Sequence, residues 1–303
     1  MARVLVRVRQ PAPIRPNGRW VLPPGTRVEL TGRGAPYVRY LPGPPGAPTV
    51  VLLHGLTGTA DQTWAESYRD LNRCFSVVAL DLRGHGGGIP HESVYRLEDC
   101  ADDVAALIVT LGVGPVIAVG YSMGGAVAQL LWRQHPRLVS GLVLCSTAAH
   151  FSVGPLERIA AVAGVATAAA LRTVPPIFRL GFDMATSFVT HDVDDPARQW
   201  LNGDFGRCNF ETFVAAAAAV SRFTSRDWIT GVDVPTAVIL TRQDRLILPA
   251  RQRELAGLIP GAVLHEVDGG HGAFVTASER FLPSLLGSCR AVAEYGRPLA
   301  AQA

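Results

Sequence analysis

The sequence contains no lysine; all 28 of its basic side chains are arginine. That excludes Schiff-base chemistry, a lysine general base and a phosphate-binding P-loop lysine. Cysteine is scarce. The five residues Cys74, Cys100, Cys145, Cys208 and Cys289 form no C-x-x-C pair and no metal-ligand spacing, so neither a disulfide framework nor a thiolate metal site is expected. Several of them fall in apolar runs and read as buried free thiols, which suits a reducing, cytoplasmic setting. There is no G-x-G-x-x-G fingerprint and no P-loop, so no cofactor and no metal is implied. Met1 to Gln10 carries charges and lacks an uninterrupted apolar core, which argues against a cleaved signal peptide. The uncharged apolar stretch Ile159 to Leu171 is thirteen residues, too short to span a bilayer.

What the chain does have is apolar bulk and glycine. Its 303 residues, 48% hydrophobic and 17% charged, suffice for one large α/β domain or one domain with an insertion. The net charge of +3 is uneven. Residues 1–39 carry eight arginines against the single acid Glu29, a balance of +7 that leaves −4 for the remainder. This arm reads as a solvated tail and edge strand; peripheral contact with an acidic membrane or partner is the other reading. Nucleic-acid binding is not expected, because the basic excess stops where the first buried strand begins.

Residues 11–48 are rich in proline and glycine, with short β-like pieces at Thr26–Leu30 and Tyr37–Leu41. Buried strands are expected at Thr49–Leu53, Phe75–Leu80, Val116–Val119, Leu142–Ser146, Thr236–Leu240 and Ala262–Val267. Between them runs helical spacing, clearest at Val104, Leu107, Ile108 and Leu111 and ended by Gly112. Strands alternating with helices imply right-handed crossovers and a mostly parallel sheet. Near-continuous Val/Leu/Ile runs imply that both sheet faces are covered. From Thr147 to Gly231 the rhythm changes to Ala-rich and aromatic helical stretches, such as Ala160–Leu171 and Phe213–Val220. The organisation expected is therefore an N-terminal arm (1–25), an α/β core (26–146 and 232–303) and an inserted, mainly helical cap (147–231).

The most informative segment is Gly120-Tyr121-Ser122-Met123-Gly124, a G-x-S-x-G between a strand-like run and a helix-like run. Strand, tight turn and helix are the context of a nucleophile elbow. The turn forces the serine into a strained backbone, and side chains two positions to either side would collide, hence the glycines. A serine hydroxyl needs a neighbouring base. Of the eight histidines, His271 lies in a glycine-rich loop directly after a strand, on the sheet edge that also carries Ser122. His265 sits inside a strand, His135 ends a helix, and His191 falls in the cap. The base in turn needs an orienting acid. Between Ser122 and His271 one acid directly follows a strong strand: Asp244. An oxyanion developing on the substrate needs two donors. One is the backbone amide of Met123; the other comes from the loop His54–Thr59, with the Leu56 amide the natural donor and Thr57 the alternative.

Five segments together resemble the α/β-hydrolase superfamily: H-G-L-T-G at His54–Gly58, D-L-R-G-H-G at Asp81–Gly86, G-Y-S-M-G-G at Gly120–Gly125, T-R-Q-D-R-L at Thr241–Leu246 and G-G-H at Gly269–His271. The resemblance covers roughly residues 26–290 and includes the chain order serine, acid, histidine. It implies the α/β-hydrolase fold, a catalytic Ser122–His271–Asp244 triad, and an oxyanion hole at Leu56 and Met123. It gives Asp81, Arg83, Gly84 and His85 a structural role. Thr241 departs from the pattern, standing where many members have glycine. The expected activity is cleavage of a small-molecule carboxylic ester through an acyl-enzyme. The apolar stretches of the cap would suit a lipophilic ester or would merely pack cap against core. C–C bond hydrolysis and cofactor-free haloperoxidase or perhydrolase chemistry use the same triad and stay open. So does a non-catalytic ligand-binding role on the same scaffold.

Overall fold

The computed structural model describes residues 22–91, 94–152 and 210–295. Eight strands form one sheet: β1 (Gly25–Arg27), β2 (Tyr37–Leu41), β3 (Thr49–Leu53), β4 (Ser76–Leu80), β5 (Val116–Tyr121), β6 (Val139–Cys145), β7 (Thr236–Thr241) and β8 (Val263–Val267). Their spatial order is β1-β2-β4-β3-β5-β6-β7-β8. The first two strands pair antiparallel, and every pairing from β4 onward through the sheet is parallel. The class expected from the sequence is the class observed.

Alternate residues of the central strands serve two separate cores. Val51, Leu53, Val78, Leu80, Ala118, Leu142 and Val238 face one layer, which includes α3 (Leu97–Leu111) and α4 (Met123–Gln134). Val50, Leu52, Val77, Ala79, Ile117, Val119 and Ile239 face the other. That second layer contains α1 (Ala60–Trp64), α2 (Tyr68–Asn72) and α8 (Ser278–Tyr295), whose Trp64, Phe281 and Leu285 fill it. Burial on both faces is what apolar strands without polar alternation require.

Two boundaries differ from the sequence expectation for identifiable reasons. The Thr26–Leu30 piece is a shorter strand, and Leu30 instead bridges Gly34 across a turn in which Gly34 has φ 120°. The strand β6 begins three residues before Leu142, in Val139-Ser140-Gly141, where a serine and a glycine interrupt the apolar run. After β8 the described chain forms two helices, α7 (Ala273–Thr276) and α8, with Pro283 inside the second. Of the expected cap, residues 153–209 lie outside the described residues, as does arm segment 1–21. The described return from it is α5 (Phe210–Arg222). Beyond that helix Trp228 stacks on Trp132 of α4, and the Trp132 indole donates to Asp233 at 3.0 Å. Among the described residues no helix is long and apolar enough to cross a membrane.

Candidate active site

The parallel strands end on one edge, and their loops carry the chemistry. At the end of β5, Ser122 adopts φ 53° and ψ −116°. A side chain at Gly120 would place its Cβ 2.3 Å from the Gly124 carbonyl oxygen, and one at Gly124 would come 2.2 Å from that of Leu53. The sequence reading of these glycines is thus a steric fact of the turn. The Ser122 amide donates to Cys145 C=O at 2.9 Å, and the Thr147 hydroxyl donates to Ser122 C=O at 2.8 Å. The strained residue is held on both sides by β6 and the loop that follows it.

His271 and Asp244 meet this serine from the next two loops. His271 Nε2 lies 3.0 Å from Ser122 Oγ, and His271 Nδ1 lies 2.8 Å from Asp244 Oδ2. The two loops are tied together: the Arg242 amide donates to Val267 C=O and the Gln243 amide to Gly269 C=O, both at 2.9 Å. The Asp244 carboxylate is fully buried, and the His271 side chain is 11% exposed. Burying a carboxylate demands compensating donors. Oδ1 accepts from the Leu246 and Ile247 amides, each at 2.9 Å. Oδ2 accepts from Thr241 Oγ1 at 2.9 Å and Gln252 Nε2 at 3.2 Å as well as from His271.

The expected oxyanion donors occupy the other side. Met123 is the first residue of α4, so its amide is one of the first-turn donors without an intrahelical acceptor. Gly55 packs so closely that a Cβ on it would lie 3.5 Å from the Ser122 Cβ. This brings the Leu56 loop against Ser122. Thr57 is left-handed at φ 65°, with its hydroxyl donating to Leu56 C=O at 2.6 Å. His54 locks the loop from behind. Its Nε2 accepts from the Leu82 amide at 2.9 Å, so the ring proton sits on Nδ1 and is donated to Gly55 C=O at 2.7 Å. Burial, and then the neighbouring His85, push the His54 pKa down to about 3. A histidine held neutral this way is a structural hydrogen-bonding group.

The Asp81–His85 loop is likewise structural. Asp81 caps α1 at the Ala60 amide and accepts from the Gly87 amide, each at 2.8 Å. Arg83 grips the buried Asp103 through two bonds of 2.9 and 2.7 Å. His265 stays inside β8, and His135 pairs with Asp102 at 2.8 Å. His191 lies outside the described residues. Three contributors were not anticipated. The Tyr121 hydroxyl donates to His271 C=O at 2.7 Å, and its ring packs edge-on to the imidazole. Gln252 and Thr241 both donate to the acid. Tyr121 stands beside the serine in the elbow motif, which was a usable signal; Gln252, on α6 (Pro249–Leu258), carried none.

Comparison with known proteins agrees with this architecture. Residues 48–278 match the family model described as alpha/beta hydrolase fold. The chain is 27% identical over 251 residues to a poly(3-hydroxyalkanoate) depolymerase of Ectopseudomonas oleovorans, covering 81% of this chain and 85% of that protein. It is 29% identical over 258 residues to a non-heme chloroperoxidase of Streptomyces lividans, covering 80% and 92% respectively. Among solved structures it superposes on a thermophilic esterase from Thermogutta terrifontis with a TM-score of 0.75 at 25% identity, covering 88% of this chain and 98% of that one.

Proposed function

Because the chain belongs to the alpha/beta hydrolase family, we propose that it is a serine hydrolase that cleaves a carboxylic ester through an acyl-enzyme. The observation that carries this reading is the unbroken chain Ser122 Oγ to His271 Nε2, at 3.0 Å, and His271 Nδ1 to Asp244 Oδ2, at 2.8 Å. His271 takes the Ser122 proton as Oγ attacks the ester carbonyl. The Met123 and Leu56 amides receive the oxyanion, with Thr57 the alternative to Leu56. His271 then delivers its proton to the departing alkoxide, and water repeats the sequence to free the acid and restore Ser122. Asp244 accepts from His271 Nδ1 and stabilises the imidazolium. Residues 147–231 serve as the cap that selects the substrate, and their apolar stretches favour a lipophilic one.

A second acceptor is favoured by one observation, the similarity to a non-heme chloroperoxidase. Hydrogen peroxide attacking the same acyl-enzyme in place of water would release a peracid.

The test is hydrolysis of p-nitrophenyl esters from acetate to palmitate by the wild type and Ser122→Ala. The expected outcome is chain-length-dependent turnover that falls by roughly 10⁴-fold or more in the variant. Equal rates from both proteins would remove Ser122 from the chemistry. Formation of peracid with added peroxide, measured beside hydrolysis, separates the two acceptors.

A further inference from the structure

Asp244 is held by two different kinds of donor. Its Oδ1 rests on backbone amides, those of Leu246 and Ile247. Its Oδ2, the oxygen that faces His271, is held by side chains: Thr241 Oγ1 at 2.9 Å and Gln252 Nε2 at 3.2 Å. Both side chains are fully buried. A hydroxyl has one proton to give. That proton goes to the carboxylate, whose oxygens only accept; Ser146 Oγ, 3.0 Å away, can donate into Thr241 Oγ1, and the second proton of Gln252 Nε2 is shared between Thr241 Oγ1 and Asp244 Oδ2, each 3.2 Å away.

Gln252 is itself keyed into place. Its Oε1 accepts from the Thr241 amide at 3.1 Å, and its Nε2 donates to Ile247 C=O at 2.6 Å. One backbone donor and one backbone acceptor therefore fix which end of the amide points at Asp244. The glutamine bridges the end of β7 to the loop that carries the acid. A glycine at 241 would delete the hydroxyl on which Gln252, Ser146 and Asp244 Oδ2 converge. The departure from the family pattern at Thr241 thus coincides with a polar network that glycine could not build.

We propose that Thr241 and Gln252 are positioning residues that hold Oδ2 of Asp244 in one orientation beneath His271, with Ser146 directing the Thr241 proton. The proposal rests on the triad reading above. Its consequence is graded: without the hydroxyl, Asp244 keeps its backbone bonds on Oδ1 but is freer to rotate away from the imidazole. A carboxylate that turns away stabilises the imidazolium less.

The experiment compares wild type, Thr241→Val, Thr241→Ser and Gln252→Leu in kcat, KM and the pH–rate profile on a p-nitrophenyl ester. It adds the low-field proton NMR resonance of the His271 Nδ1–H in the same four proteins. In Thr241→Val, kcat is expected to fall roughly 10- to 100-fold with KM within about threefold. The acid limb of the profile should move to lower pH, and the low-field resonance should shift or broaden. Thr241→Ser should restore all three, and Gln252→Leu should fall on the Thr241→Val side of the wild type. Coincidence of Thr241→Val with wild type in rate, profile and resonance would overturn the proposal. So would an equal loss in Thr241→Ser, which would make side-chain volume the cause. If Thr241→Val does not fold, Thr241→Ala removes the same hydroxyl and takes its place. If the wild type hydrolyses no ester, the triad reading fails, while the NMR comparison still decides whether Thr241 and Gln252 hold Asp244.

Discussion

The Ser122 turn and the Asp244 loop stand on the same sheet edge and are held by opposite means. Around Ser122 the restraint is steric. Gly120, Gly124 and Gly125 each have backbone or side-chain atoms within 2.5 Å of where a Cβ would stand, and Ser122 itself sits at φ 53°. Around Asp244 the restraint is polar: five donors converge on two carboxylate oxygens. A steric restraint is all-or-none, since an added methyl has nowhere to go. A polar restraint is graded, since each donor contributes separately and its neighbours can partly compensate. Strain can be stored in the first kind of loop and orientation tuned in the second.

The comparison breaks most sharply at Gly124. Gly124→Ala would drive a methyl to 2.2 Å from Leu53 C=O and 2.7 Å from His54 C=O. These are backbone atoms of β3 and of the loop that follows it, and they cannot swing aside. The variant should lose about 3 kcal/mol of stability, read as the urea midpoint, and its ester turnover with it. A Gly124→Ala protein as stable as wild type would mean that the elbow is not sterically held, and the contrast with the acid loop would collapse.

This difference also explains what could be read in advance. Sterically restrained turns write themselves into sequence as glycines at fixed offsets, so Gly120, Ser122 and Gly124 were legible as a unit. The strands Tyr37–Leu41 and Thr49–Leu53 were legible to the residue, because short aromatic and β-branched runs bounded by Pro/Gly segments leave little choice of boundary. His271 and Asp244 were legible from their place after strands. The polar scaffold of the acid was not. Gln252 is on a different element, eight residues past Asp244, and Tyr121 reaches His271 across 150 residues. No local pattern encodes such pairings. Thr241 was noticed only as a departure from glycine, with its hydroxyl bond to Asp244 unforeseen. The short helices α1 and α2 escaped because five residues cannot display a helical period. A capping box at Thr59 and Gln62, present in the structure, was the available signal for the first.

A smaller effect sharpens the comparison from behind the elbow. The loop that abuts Ser122 is locked by His54, which stacks edge-on against His85 at 5.3 Å between ring centroids. Burial pushes their pKa values down, to about 3 and about 4 respectively. An unfolded chain protonates both near pH 6.5. Their contribution to stability is therefore complete above about 6.5 and is lost as pH falls toward the folded values. Asp81 opposes this. Burial raises its pKa from 3.8 to about 6, so the folded protein keeps a proton between those values that the unfolded chain has released, and some stability returns. Two protons against one leave a net loss of about 2 kcal/mol between pH 7 and pH 5. Urea midpoints across that range should fall. A midpoint flat or rising toward pH 5 would mean that the two imidazoles are not held neutral in the folded state, and the lock behind the oxyanion loop would need another basis.

The smallest effect comes from asking the same substitution of a glycine outside the site. Gly287 lies within helix α8, and a Cβ built there meets nothing within 4 Å. Its φ is not in the left-handed region, so alanine can take the native backbone without strain. Replacing it removes conformational freedom from the unfolded chain without adding a clash in the folded one. Gly287→Ala should therefore stabilise by about 0.5 to 1 kcal/mol, a rise in Tm of about 1 to 4 °C for a domain of this size. One methyl group thus has opposite signs at two glycines of one chain, and the cause lies in what surrounds each Cα rather than in glycine itself. If Gly287→Ala were destabilising, free volume at the Cβ would not predict the sign, and the steric account of Gly124 would lose its internal control.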